Sequence, residues 1–442
     1  MPGSNRIRVV RLLAVIVPRN PRKTNRGRAA AGCEMLIRIA ARLALFALLG
    51  ASVAVAAQPA SFDDQFRRGL VALQNNDLTV AKQSLEQAAR LQPENPKVWA
   101  ALAQAYLRSK QTDPANAAAK RAEALAADDP VVQHALAIFF SETGDFARAA
   151  GLERRFASSK AADPQAAARA ATLSLEAGEP QQAIIWAKAA LGQRDSVDMH
   201  HLLGKAEEAA NQPEAALAEF RRAVELAPWD EGFTFDLGQA LLHRGDFAGA
   251  LAFFEAARER FSKSAQIELA YGVAAYGQRR FRDAIAAFLH VTHLDPSIEQ
   301  PYIFIGKILE NAGDLMPEVL SRYAAWGAAQ PDNYLPWFLH AKALDASSGD
   351  PVRSEAELRR SIRLNPNFWE SHLELGIILI QRQQWQEAAS ELSRAIELDG
   401  KRPTPHFQLA RVYNRLGKRE QAQAELAEFK RLSASETESP VP

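Results

Sequence analysis

The chain has 442 residues, is 48% hydrophobic and 24% charged, and carries 23 Gly, 23 Pro and a formal charge of +1. This composition excludes a long disordered chain and suits a folded, helix-rich protein. Ten of the 53 basic residues and one of the 52 acidic ones lie in 1–57, so the remainder is near −8 and offers no general attraction for nucleic acid.

Residues 1–34 hold eight of those ten basic residues and read as a mis-called or basic N-terminal extension ahead of a true start at Met35. "AAGC" at 30–33 faintly resembles a lipoprotein cleavage box, but a charged stretch precedes it where an apolar core should stand. Residues 35–57 have the layout of a secretory signal peptide: Arg38 and Arg42, then the uncharged run Leu43–Ala57, then small residues suited to cleavage. That run falls short of the ~20 residues a bilayer span needs, so cleavage is expected and an uncleaved anchor is the alternative. Cys33 is the one cysteine, so no internal disulfide forms; it lies in the segment expected to be removed, so it is no nucleophile.

From residue 62 the sequence repeats. Gly204, Gly238, Gly272 and Gly306 are each 34 residues apart. Ala216, Ala250 and Ala284 keep that step, as do Phe220, Phe254 and Phe288, and Pro213, Phe247, Phe281 and Leu315. Gly69 and Ala103 keep it upstream. A fixed period over this distance marks a repeat architecture. Units begin near 62, 96, 131, 164, 197, 231, 265, 299, 334, 369 and 403. Those in 62–196 are Ala-rich and degenerate, with the one near 131 fitting two registers; those in 197–435 are well formed, and 436–442 is expected to be a disordered tail. Each unit is predicted to be two antiparallel helices. Gly272 on the first is expected to face Ala284 on the second, with Phe288 and Tyr271 filling the space around that contact. Gly-Asp at 144–145, 245–246 and 313–314 should make the turn inside a unit, and Pro93, Pro228, Pro296 and Pro366 should stop the second helix.

These units resemble tetratricopeptide repeats, on Tyr271-Gly272, Phe281, Ala284, Phe288 and Pro296 in one unit and Leu203-Gly204, Ala216, Phe220, Ala223 and Pro228 in another. Trp99, Leu102 and Tyr106 match the first-helix half of the pattern. The resemblance implies an all-α, right-handed superhelical solenoid of about eleven helix-turn-helix repeats, stacked because one unit cannot bury its own core. It also implies that first helices line a concave groove where partners lie. Carried over unit by unit, the groove residues are Lys205, Phe235, Gln239, Tyr276, Ile303, Lys307, Phe338, Lys342, Phe407 and Arg411. Apolar members of such a stripe are as readily core between repeats as they are contact surface. The Lys/Asn clamp with which some family members grip a C-terminal carboxylate is absent.

No catalytic constellation stands out. The motifs GxxxxGK[ST], HExxH and GxSxG are missing. His290 and His293 have a spacing that can hold a metal, but sequence fixes no third ligand beside them, and the adjacent His200 and His201 point in different directions. We therefore expect no enzyme activity, no cofactor, no metal and no small-molecule substrate. The expectation is an exported scaffold, periplasmic or envelope-associated in a bacterium, that binds other proteins or peptide segments. It should bind no nucleic acid, and a membrane only if residues 43–57 are retained. The alternatives are a membrane-anchored assembly or secretion accessory factor and, from another class, an enzyme with an unrecognised site.

Overall fold

A computed structural model describes residues 61–438 apart from 126, 127, 161, 162 and 349. The basic extension, the signal segment and the last four residues lie outside the described residues. Those described form twenty-two α-helices and two short 3-10 turns, with no strand among them. They divide at Ala240/Leu241 into two compact units.

In the first unit the hairpins are α1 (Phe62–Gln74) with α2 (Leu78–Leu91), α3 (Pro96–Arg108) with α4 (Thr112–Leu125), and α5 (Pro130–Thr143) with α6 (Phe146–Ser159). Then come α7 (Pro164–Glu176) with α8 (Pro180–Leu191), and α9 (Val197–Ala209) with α10 (Pro213–Leu226). Helix α11 (Glu231–His243) carries the division, and α12 (Phe247–Arg260) opens the second unit. There follow α13 (Ala265–Gly277) with α14 (Phe281–Leu294), α15 (Gln300–Lys307) and α16 (Met316–Ala329), and α17 (Tyr334–Ser348) with α18 (Pro351–Leu364). The chain ends on α19 (Trp369–Gln381) with α20 (Trp385–Leu398) and α21 (Pro403–Arg415) with α22 (Arg419–Glu438). The last helix thus runs past 435, where a disordered tail was expected to begin.

Helix starts follow local chemistry. Asp77, Asn95, Asp129, Asp145, Asp163, Asp246 and Asp350 each cap the following helix with a side-chain oxygen that accepts a backbone N–H. Asp129 with Pro130 at the first helical position settles the ambiguous third unit one residue before 131. The turn inside a unit needs one residue in the left-handed region. Gly144, Gly178, Gly245, Gly313 and Gly417 supply it at φ +51° to +85°. Asn76, Lys110, Asn211, Arg279 and Gln383 take the same place at φ near +60°, although a Cβ disfavours it.

The helices of a unit close up over a notch. A Cβ built on Gly204 would lie 2.7 Å from the Phe220 ring, one on Gly272 2.6 Å from Phe288, and one on Gly376 2.6 Å from Leu392. A Cβ built on Gly69 would likewise lie 2.5 Å from Leu85. The partner of Gly272 is therefore Phe288, one turn beyond the expected Ala284. In the Ala-rich first unit, Ala103 replaces that glycine and is fully buried with Ala115, Ala119 and Ala122. Small side chains on both helices do there what a Gly–Phe pair does elsewhere.

The pair α15 and α16 departs from the pattern. Helix α15 stops at Lys307 and two 3-10 turns, Leu309–Asn311 and Gly313–Leu315, carry the chain into α16. Rings occupy the interior: Tyr302 stacks on Trp326 at 4.3 Å, and the buried Tyr323 hydroxyl donates to the Tyr302 carbonyl at 2.8 Å. Burial pushes the Tyr323 phenol well above its ordinary range.

Candidate partner-binding face

Several first helices carry a recurring polar staple near their start. Its side chain reaches back to the loop before the helix. Trp99 Nε1 donates to the Pro93 carbonyl at 2.7 Å, and the Nε2 atoms of His372 and His406 lie 3.1 and 3.3 Å from the carbonyls of Pro366 and Gly400. In four units this residue is a histidine whose Nδ1 meets a glutamate nineteen residues later on the second helix. The pairs are His134–Glu153 at 2.7 Å, His200–Glu219 at 2.5 Å, His372–Glu391 at 2.7 Å and His406–Glu425 at 2.6 Å. The first is a buried network, because Arg169 Nε also lies 2.7 Å from Glu153. Burial would raise the Glu153 carboxyl, but the His134 hydrogen bond and the charges of His134 and Arg169 hold it below its ordinary 4.5.

The histidines weighed as metal ligands are engaged otherwise. His290 Nδ1 lies 3.3 Å from Glu268, and His293 Nδ1 accepts from Arg322 at 2.6 Å. His200 sits between Glu219 and Asp195, and His201 Nε2 is 2.5 Å from Asp236 while its ring packs on Phe233 at 4.7 Å. Among the described residues no group of three or more His, Cys, Asp or Glu could hold a metal ion.

Of the ten residues carried over to the groove, eight keep at least partial solvent access on first helices. Lys205, Lys307 and Arg411 are exposed, and so is Phe407, which rests its ring on Phe429 at 5.1 Å. Ile303 is half-buried. Arg411 donates to Gln408 at 2.8 Å, and Gln239 is half-buried on α11. Tyr276 is half-buried with its ring edge-on to Phe281 and to Phe304, at 5.7 and 5.6 Å. Lys307 Nζ lies over the same Phe304 ring at 5.7 Å, so Tyr276 and Lys307 share one aromatic neighbour. Phe235 and Phe338 correct the expectation: they are only 7% and 6% exposed. Phe338 turns inward because Phe368 meets it edge-on at 5.0 Å and the Lys342 ammonium covers it at 5.5 Å.

Ion pairs link one first helix to the next. Lys205 Nζ is 3.2 Å from Asp236, and Lys342 Nζ is 3.5 Å from Glu374. Burial would raise the Asp236 carboxyl, yet the His201 hydrogen bond and the Lys205 charge hold it below 3.8. Burial raises Glu374 in spite of Lys342. The sequence did not point to Asp236, Glu374, Phe304 or Phe368; the usable signal was an acidic residue as the sixth of a first helix, facing a lysine of the unit before.

Family models described as tetratricopeptide repeat match residues 72–138, 201–266 and 341–403. The mouse Protein O-mannosyl-transferase TMTC3 is 24% identical over 189 residues, which are 39% of this chain and 20% of that protein, so the match spans about a fifth of its length. The structure of Naa15/Naa10 bound to HypK-THB is similar over 83% of this chain and 68% of that one, at 14% identity and a TM-score of 0.42. Yeast Tom70 is similar over 83% of this chain and 91% of its own, at 15% identity and a TM-score of 0.36. YrrB, described as a TPR protein with an unusual peptide-binding site, covers 43% of this chain and 98% of its own, at 20% identity and a TM-score of 0.36.

Proposed function

As the chain belongs to the tetratricopeptide-repeat proteins, we propose that it is a non-catalytic scaffold taking segments of other proteins along the first-helix face of its repeats. One observation carries the reading. Apolar side chains recur on that face with partial exposure, namely Tyr276, Ile303, Ile377, Ile380 and Phe407. Their backbones are fixed by helix packing, so a partner meets a pre-formed surface and little ordering entropy is lost on the scaffold's side. A few apolar anchors dominate such contacts, and edge charges act on association rate and salt response. The double variant Tyr276→Ala, Ile303→Ala should reduce capture of partner proteins more than tenfold, with helical circular dichroism retained. An unchanged set of captured proteins, from a variant that still folds, would place binding on another surface.

The scaffold works outside the cytoplasm in this reading, in the periplasm or at the envelope of a bacterium. Support comes from the order of charge, apolar run and small residues in 35–57. The mature chain should begin at Ala57 or Gln58 by N-terminal sequencing of exported material. A mature protein that still begins at Met35 would mean an anchor.

A further inference from the structure

We infer that Lys307 is an anchor for an Asp or Glu side chain of the partner segment, at a place where the scaffold omits its own carboxylate. The inference rests on the scaffold reading and names the chemistry of what binds there.

The omission is visible against the other two lysines of the same register. Lys205 pairs with Asp236, the sixth residue of α11, and Lys342 pairs with Glu374, the sixth residue of α19. Lys307 precedes α17, whose sixth residue is Leu339. Leu339 reaches over the end of α15, where a Cβ on Gly306 would lie 2.5 Å from its Cδ2. No carboxylate among the described residues lies within ion-pair distance of Lys307.

The cation is therefore left beside apolar neighbours. Its nearest ring is Phe304, shared with Tyr276, and Ile303 stands one turn before it. Lys307 keeps access to solvent, yet burial pushes its ammonium below the ordinary 10.5 and no carboxylate pulls it back. An ammonium in that position gains from a carboxylate brought to it more than a fully hydrated lysine would, because part of its desolvation has already occurred. The two completed pairs are made by side-chain carboxylates on a neighbouring segment. A partner segment lying over Tyr276 and Ile303 would place its own Asp or Glu where Asp236 and Glu374 stand in the other two.

Selection of displayed random peptides on the full chain tests this, with the display fusion blocking the peptide's C-terminus. Wild-type chain should enrich Asp or Glu at one fixed position among apolar residues. The Lys307→Gln chain should keep the apolar pattern and lose the acid, and Lys307→Arg should keep both. A selected peptide, resynthesised as the amide, should bind about tenfold more weakly after Glu→Gln, and that difference should vanish against Lys307→Gln. Apolar enrichment with the same acidic content in both pools, or with none in either, overturns the anchor and leaves the groove. Lys307-dependent enrichment confined to a second library with free C-termini overturns the side-chain assignment in favour of a terminal carboxylate. If neither library enriches on wild-type chain, the groove reading fails and the anchor with it.

Discussion

Glu153→Ala is expected to destabilise the α5–α8 region by about 3–5 kcal/mol, the cost of leaving buried charged groups without their partner. Glu153 is 1% exposed and binds His134 and Arg169, which are themselves 4% and 16% exposed along their side chains. Removing the carboxylate leaves the buried His134 without this partner and the largely covered Arg169 with only limited access to water. Repeat arrays lose structure in parts, so hydrogen exchange resolved over 130–176 is a better reading than one melting point. The pH dependence has a definite sign. The Glu153 carboxyl is held below 4.5 in the folded chain, so its contribution is full above 4.5 and is lost as pH falls through the folded value. Glu153→Gln, which keeps the shape but not the charge, should therefore show a flatter loss of protection on acidification than wild type. Wild-type protection in the Ala variant would mean that the network contributes nothing. The same acid response in the Gln variant would assign that response to other carboxylates.

The architecture was legible because small and large residues recur at a fixed 34-residue step, and the structure shows that the helix starts are set locally. Asn95-Pro96, Asp163-Pro164 and Asp350-Pro351 each combine a capping oxygen with a ring that presets φ. The turns were legible only where glycine marks them, as at Gly144 and Gly245. Asn211, Arg279 and Gln383 adopt the same backbone because the two helices they join demand it, and nothing in those residue types announces it. Contacts between helices were harder. Periodicity tells which residues recur, but not which two touch. A helical side chain leans toward the N-terminus of its own helix, so the spot facing Gly272 is covered by Phe288 from one turn beyond Ala284. The same limit hid the histidine staples, whose signal was present as His and Glu nineteen residues apart at 134, 200, 372 and 406. It also placed Phe338 on an open wall, because the ring that buries it, Phe368, comes from the loop of the following unit.

Phe288→Ala should cost about 3–5 kcal/mol, as truncation of a fully buried aromatic usually does. The ring is inaccessible, stacks on Phe304 at 4.9 Å and fills the notch at Gly272, so three helices lose contact at once. Gly272→Leu should cost about 1–3 kcal/mol by overpacking, less the fraction recovered because glycine is a poor helix residue. The informative measurement is the double variant. If Gly272 faces Phe288, the new leucine enters the space the ring has left, and the two losses fall short of their sum by roughly 0.5–3 kcal/mol. Were Ala284 the facing residue, the leucine would still collide after the ring is gone and the losses would add. Hydrogen exchange along α13 and α14 in the two single variants and the double decides between these outcomes. An additive result would return the contact to Ala284 and remove the reason that a small residue recurs every 34 positions opposite a large one.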